Sequence, residues 1–149
     1  MPESPAFAFA GDVATAIASC GLSTIEAPPP IDDDAWPLVL ARIGDEKLVG
    51  IAMAAADDGW LKLTDEQYLA LVEREREAMT WCLDLERRLL TLTDAFAARR
   101  IPFVVLKGPA LAHTVYPAPS WRPFGDLDLL VEVIEQTLTA MSGRSDDGQ

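Results

Sequence analysis

Apolar residues recur at helical spacing through the middle of this chain. The segment from Trp36 to Ala56 predicts two short helices, because its apolar positions suit helix faces and Gly44-Asp45 interrupts them. Those apolar positions are Leu38, Leu40, Ile43, Val49, Ile51 and Met53. We expect the two helices to pack together as a pair.

A long helix is predicted to begin at Thr64 and to run to about Arg99. Thr64-Asp65-Glu66-Gln67 has the pattern of a capping box, in which the Thr64 hydroxyl accepts from the Gln67 amide. Beyond it, one face repeats apolar residues at spacings of three and four: Cys82, Leu85, Leu89, Leu92 and Phe96. This stripe predicts a core contact. An unbroken helix would be about 50 Å long at ~1.5 Å per residue, so we expect a break inside it.

Two further features of this helix are interpreted as structural. Met79 and Trp81 are predicted to belong to the core, with a ligand pocket as the alternative. The alternating acids and arginines from Glu73 to Glu77 predict a solvated face joined by pairs four residues apart.

After Arg99-Arg100 the pattern changes from helix to strand. Residues 103–106 are apolar and predict a strand, and Lys107-Gly108 predicts a turn. Pro109 suits the first position of a helix that ends near Val115. A proline-rich loop then leads to a second strand that ends at Val131. The predicted order is strand, glycine turn, helix, loop, strand.

These patterns divide the chain into four parts. Residues 1–34 are expected to form a flexible arm, because alanine-rich stretches alternate with Pro28-Pro29-Pro30 and Asp32-Asp33-Asp34. A short helix near residues 12–19 remains an alternative there. The acidic triplet is interpreted as a solvated run or a helix cap. A helical lobe is expected over 35–100, an α/β core over 101–141 and a disordered tail over 142–149.

Charge limits the classes of partner. The chain has 149 residues, is 50% hydrophobic and has a formal net charge of −12, with a pI near 4.3. This length allows one domain with a real core. The negative charge argues against extended nucleic-acid binding, which depends on many Lys and Arg contacts with phosphates. Residues 61–125 nevertheless carry 9 of the 12 basic side chains, just before the second strand.

Cysteine and histidine are too few for a disulfide framework or a zinc site. The chain contains only Cys20, Cys82 and His113. The sequence begins without a basic leader, and its apolar runs are shorter than the roughly 18 residues of a membrane span. We therefore predict a cytoplasmic protein that has no membrane contact.

The clearest candidate chemistry lies in Gly125-Asp126-Leu127-Asp128. Side chains alternate along a strand, so the Asp126 and Asp128 carboxylates are predicted to project from the same face. Mg²⁺ is commonly held by one or two carboxylates, with waters and substrate phosphates completing its octahedron. The pair therefore predicts a site for a magnesium–nucleoside triphosphate complex.

These motifs resemble those of the uncharacterised nucleotidyltransferase family within the polymerase-β-like superfamily. The resemblance is carried by residues 103–108, Tyr116-Pro117, Arg122-Pro123 and residues 125–131, and extends more loosely over 36–100. It implies an α+β fold, with a helical N-terminal lobe followed by a partial nucleotidyltransferase core. It also implies transfer of a nucleoside monophosphate from a nucleoside triphosphate to an acceptor that the sequence does not identify.

The same resemblance implies roles for individual residues. Asp126 and Asp128 would be catalytic and would bind Mg²⁺, in a site that holds two metal ions in a complete family member. The nucleotide-binding residues would be Lys107, Gly108, Arg122 and Gly125. Lys107 and Arg122 would neutralise phosphate charge, and Gly108 would let the backbone approach the triphosphate at a helix N-terminus.

The sequence also departs from the superfamily pattern. Pro109 replaces the serine that usually follows the turn glycine. A third carboxylate is expected on a neighbouring strand, and Glu132 cannot replace it because four residues at ~3.3 Å each place it roughly 13 Å from Asp128. The chain is therefore expected to be truncated after the Asp-x-Asp strand.

Two alternatives to catalysis follow from that expectation. One is a catalytically incomplete module that binds nucleotide without turning it over. The other is a structural protein that pairs with a partner, or with itself, through an open sheet edge.

Overall fold

The computed structural model describes residues 5–22 and 25–131. Its elements, in chain order, are α1 (Pro5–Ala18), α2 (Trp36–Asp45), α3 (Val49–Asp57), α4 (Asp65–Ala98), β1 (Phe103–Val105), α5 (Pro109–Thr114), a 3₁₀ turn (Pro119–Trp121) and β2 (Leu129–Val131). The fold is α+β, as predicted: mostly helical, with a small two-stranded sheet. No helix of the described ranges is long and apolar enough to cross a membrane. The predicted disordered tail (142–149) lies outside these ranges.

The N-terminal segment is more ordered than predicted. Within the expected flexible arm (1–34), α1 is a helix of 14 residues that packs on α2. Its Ala10, Val13 and Ile17 are buried in the main hydrophobic core. The expectation of flexibility is wrong for this helix, because its alanines and branched residues form one continuous apolar face that α2 and α3 cover.

The predicted helical pair is confirmed as α2 and α3. The break falls at residues 46–48, immediately after Gly44-Asp45, and Lys47 has a positive φ of 60° there. Val39, Ile43 and Val49 are almost completely buried, so they form the centre of the main core. The helical lobe is therefore held together by burial of these apolar faces.

The capping box of α4 is confirmed, but the expected break is wrong. The Gln67 amide donates to the Thr64 hydroxyl over 3.2 Å, and the Thr64 amide donates to the Gln67 side-chain oxygen over 3.3 Å. The helix continues unbroken for 34 residues. Residues 65–98 contain neither proline nor glycine, so no position in the backbone favours an interruption.

Only part of the predicted α4 stripe is core. Cys82 and Leu85 are buried in a second hydrophobic cluster with Ala112 and Phe124. Leu92, in contrast, is 40% exposed. The difference arises because α5 and the loop before β2 cover only the middle of the helix.

The two strands pair antiparallel, with Phe103 opposite Val131, Val104 opposite Leu130 and Val105 opposite Leu129. Val104 and Leu130 share an exposed face, while their strand neighbours are half-buried. At the start of β1, the ring of Phe103 lies 5.2 Å from the ring of Phe96 at the end of α4. The sheet thus rests against the long helix, and its other face is open.

Candidate functional site

The strand pairing places the two aspartates beside the glycine turn. The Leu106 amide donates to the Asp128 carbonyl oxygen over 2.9 Å, so the antiparallel ladder continues one step beyond β1. The same register sets Asp126 opposite Gly108. Asp126 is exposed and Asp128 is half-exposed. Two motifs that are separated by about twenty residues in the sequence therefore meet at one end of the sheet.

Gly108 has a backbone conformation that glycine alone adopts readily. Its φ is 57° and its ψ is −118°, and it caps α5, which begins at Pro109. A Cβ at this position would lie 3.0 Å from the Asp126 carbonyl oxygen. The turn therefore packs directly against the backbone of the aspartate segment.

Lys107 and Asp128 form an ion pair across this junction. The Lys107 ammonium lies 3.3 Å from a carboxylate oxygen of Asp128. The side chains are 68% and 41% exposed, respectively, so the pair contributes little to stability. The ammonium is free to exchange this carboxylate for another anion at small cost.

Arg122 is placed by the 3₁₀ turn that precedes it. Gly50 in α3 allows this placement, since a Cβ there would overlap the carbonyl oxygen of Ser120. The Arg122 guanidinium lies 3.4 Å from the carbonyl oxygen of Pro123. Within the described part of the chain, Arg122 forms no ion pair with Asp126 or Asp128.

Cys82 anchors the loop that leads into the aspartates. Its sulfur accepts from the Phe124 amide over 3.3 Å and donates to the Phe124 carbonyl oxygen over 3.4 Å. Burial raises the pKa of the Cys82 thiol above its ordinary value, which already lies above neutral pH, so this thiol carries its proton at neutral pH. Both cysteines are free thiols in the structure.

The donor set at this junction suits a hard cation. Asp126 and Asp128 offer carboxylate oxygens, which Mg²⁺ prefers, and one or two such ligands suffice when substrate phosphates supply the rest. Among residues 5–22 and 25–131, no group of three or more His, Cys, Asp or Glu side chains is arranged so that it could hold a metal ion. Glu132 and Glu135 lie outside those ranges.

A cavity of about 230 Å³ lies between the helical lobe and the loop that ends at Gly125. Lys47, Arg74 and Trp81 line it; neither Lys47 nor Arg74 was predicted as a site residue, and for Trp81 a ligand pocket was the alternative to the core. Trp81 was interpreted as core, but it is 52% exposed. Trp81 is not one of the residues of the apolar stripe of α4, and the sequence could have indicated its exposure in this way. Met79, as predicted, packs against the second cluster.

A family model described as "Uncharacterised nucleotidyltransferase" matches residues 32–143, which is more than half of the chain. No curated protein and no solved structure matches the chain.

Proposed function

This chain belongs to the uncharacterised nucleotidyltransferase family, and from that premise we propose that it binds a magnesium–nucleoside triphosphate at Asp126 and Asp128. We propose further that it transfers the nucleoside monophosphate group to an acceptor. The observation that supports this most directly is the register of the sheet, which sets Asp126 against Gly108 and Asp128 beside Lys107.

Asp126 and Asp128 would hold the metal ion. Bound Mg²⁺ supplies charge stabilisation to the attacking and leaving oxygens of such a displacement. The chain's own part is to orient the carboxylates. The hydrogen bond from Leu106 fixes the backbone of Asp128, and the packing of Gly108 fixes that of Asp126.

Lys107, Gly108, Gly125 and Arg122 would bind the triphosphate. The Lys107 ammonium lies 3.3 Å from the Asp128 carboxylate. When a metal ion binds Asp128, this ammonium can form an ion pair with a phosphate oxygen instead. Gly108 and Gly125 carry no side chain that would keep the phosphates away from the backbone. To bind the pyrophosphate product, the Arg122 guanidinium would have to break its hydrogen bond to the Pro123 carbonyl oxygen. Its half-exposed position leaves room for that movement.

A second candidate function is nucleotide binding without turnover. It is favoured by the donor set, because the described residues provide two neighbouring carboxylates and no group of three that could hold a metal ion. The two candidates share the same binding site, so binding must be tested before turnover.

Calorimetric titration tests the binding site. MgATP, MgGTP, MgCTP and MgUTP are titrated into the chain, an Asp126→Asn/Asp128→Asn variant and a control Asp34→Asn/Asp94→Asn variant, which removes the same charge at exposed positions. We expect saturable, Mg²⁺-dependent binding of at least one nucleotide to the chain and the control, and its loss in the site variant. Equal binding to both variants, or none to a folded chain, refutes the site. Pyrophosphate release in the presence of candidate acceptors then separates transfer from simple binding.

A further inference from the structure

Two cationic side chains, Lys47 and Arg74, line the cavity beside Gly125. This cavity lies between the turn that joins α2 to α3, one side of α4, and the loop before Asp126. Its wall at Gly125 is adjacent in sequence to the proposed metal ligand Asp126. A molecule in this cavity would therefore lie beside the proposed nucleotide site and would share Gly125 with it.

Lys47 brings a positive charge to the wall formed by Gly125. Its ammonium lies 3.5 Å from where a Cβ of Gly125 would be. Among the described residues, no carboxylate lies within ion-pair distance of this ammonium. A charge placed in a cavity without a partner is suited to an anionic ligand.

Arg74 brings a second positive charge from α4. Its guanidinium lies against Gly44, where a Cβ would be 2.6 Å from one of its nitrogens. Arg74 pairs with Glu77 over 3.2 Å, and both side chains are substantially exposed. The cavity lining therefore contains two cations and one carboxylate, which leaves a net positive charge in a chain whose overall charge is −12.

The remaining walls are apolar and include an aromatic ring. Trp81 is half-exposed where it lines the cavity, and Phe124 closes the opposite side of the loop. A volume of about 230 Å³ is below the range of about 300–1,000 Å³ typical of drug-sized ligands. The space suits one planar ring with a single charged substituent, and the indole offers that ring a stacking surface.

We propose that this cavity binds the acceptor, and that the acceptor is a small aromatic molecule carrying one anionic group and a hydroxyl. This inference rests on the proposed function. The anion would contact Lys47 and Arg74, and the ring would stack on Trp81. In the transfer, the acceptor oxygen forms a bond to the α-phosphorus, the bond from that phosphorus to the β-phosphate oxygen breaks, pyrophosphate leaves with the electron pair, and the hydroxyl proton passes to water.

Phenyl phosphate is a suitable probe, because it carries the ring and the anion without requiring the true acceptor. Its binding is followed by the ¹H–¹⁵N resonances of the indole groups, which are assigned by a Trp81→Phe variant. We expect a saturable shift of the Trp81 resonance, with those of Trp36, Trp60 and Trp121 unmoved. Benzyl alcohol and inorganic phosphate, which each lack one of the two features, should bind more weakly.

Matched charge variants identify the contacts. Lys47→Gln and Arg74→Gln should each weaken phenyl phosphate binding roughly tenfold, which corresponds to the loss of one charge-assisted contact. Lys62→Gln, which removes the same charge at an exposed position outside the cavity, should leave it unchanged. Equal binding to all three variants, or the absence of a Trp81 shift in a folded chain, overturns the inference.

The nucleotide site can fail independently of the cavity. The Asp126→Asn/Asp128→Asn variant should bind phenyl phosphate as the unaltered chain does, because neither carboxylate lines the cavity. Phenyl phosphate binding in a chain that binds no nucleotide overturns the proposed function and the acceptor role with it. Competition between phenyl phosphate and a magnesium–nucleotide complex would assign the cavity to the nucleotide itself, and this also overturns the acceptor role.

Discussion

The Cys82 thiol is hydrogen-bonded to both backbone polar groups of Phe124, at 3.3 Å from the amide nitrogen and 3.4 Å from the carbonyl oxygen. The two residues are 42 positions apart, and both are buried. Phe124 precedes Asp126 by two residues. One side chain of the long helix therefore satisfies the buried backbone of the loop that carries the proposed metal ligands.

Replacing Cys82 by alanine should release this loop. The Phe124 amide and carbonyl would lose their partner in a buried environment, which costs about 1–3 kcal/mol of folding free energy. Cys82→Ser keeps a donor and an acceptor and should retain nucleotide binding better than Cys82→Ala. Urea denaturation measures the loss of folding free energy, and calorimetry measures nucleotide binding. Cys20→Ala is the matched control, since Cys20 is only half-buried and belongs to the other cluster. Equal stability of the Cys82 and Cys20 alanine variants would contradict the anchoring role.

Gly50→Ala should separate α3 from the turn that precedes Arg122. The added Cβ overlaps the Ser120 carbonyl oxygen, and a backbone atom cannot move aside as a flexible side chain does. We expect a destabilisation of about 1–3 kcal/mol, measured by urea denaturation. Gly11→Ala in α1 is the control, because the added Cβ would have no neighbouring atom within 4 Å. That variant should be slightly more stable than the unaltered chain, by up to about 1 kcal/mol. A loss at Gly11 equal to that at Gly50 would show that the effect is not steric.

Gly108→Ala should reduce nucleotide binding as well as stability. Its positive φ strains any side chain by about 1–3 kcal/mol, and the Cβ would also press on the Asp126 carbonyl oxygen. Gly59→Ala shares the strain, since Gly59 has a φ of 73°, but its Cβ would meet no atom within 4 Å. Both variants should lose stability in denaturation, whereas calorimetry should detect weaker nucleotide binding for Gly108→Ala alone. Unchanged nucleotide binding in Gly108→Ala would mean that the turn does not position Asp126.

The effect of Glu75→Gln on the free energy of unfolding should depend on pH. Burial, together with the nearby Asp57 carboxylate, raises the pKa of Glu75 above its ordinary value of 4.5. A raised carboxyl pKa favours folding at low pH, and this contribution is lost as pH rises through the folded-state value. Glu75→Gln should therefore be more stable than the unaltered chain near pH 7, by up to about 0.5 kcal/mol after solvent screening. The gap should close below about pH 4.

Glu73→Gln provides a control of opposite sign. A hydrogen bond from Arg76 lowers the pKa of Glu73, so that carboxylate favours folding at neutral pH and the contribution is lost as pH falls. Glu73→Gln should accordingly be less stable than the unaltered chain near pH 7. Urea midpoints between about pH 3 and pH 7.5 measure both variants. If both variants changed the stability near pH 7 in the same direction, the burial of Glu75 or the hydrogen bond between Arg76 and Glu73 would be contradicted.

Interactions between near neighbours could be predicted from the sequence. The predicted features that the structure contains are the capping box at Thr64, a break near Gly44-Asp45, the Gly108 turn and the start of α5 at Pro109. Each of them depends on residues within about four positions. Backbone geometry and local hydrogen bonds decide such features, so the residue types alone specify them. Strand alternation also predicts a shared face for Asp126 and Asp128; β2 itself begins only at Leu129, so this stays a prediction.

Contacts between distant segments were decided only by the tertiary structure. The burial of α1, the Cys82 anchor and the cavity formed by Lys47, Arg74 and Trp81 each depend on elements that are far apart in the chain. The residue pattern of an alanine-rich or mixed-charge helix does not specify which other element will pack against it. Which apolar face is covered depends on how the helices pack against each other, and this is why Ile17 is buried in the core while Leu92 remains exposed.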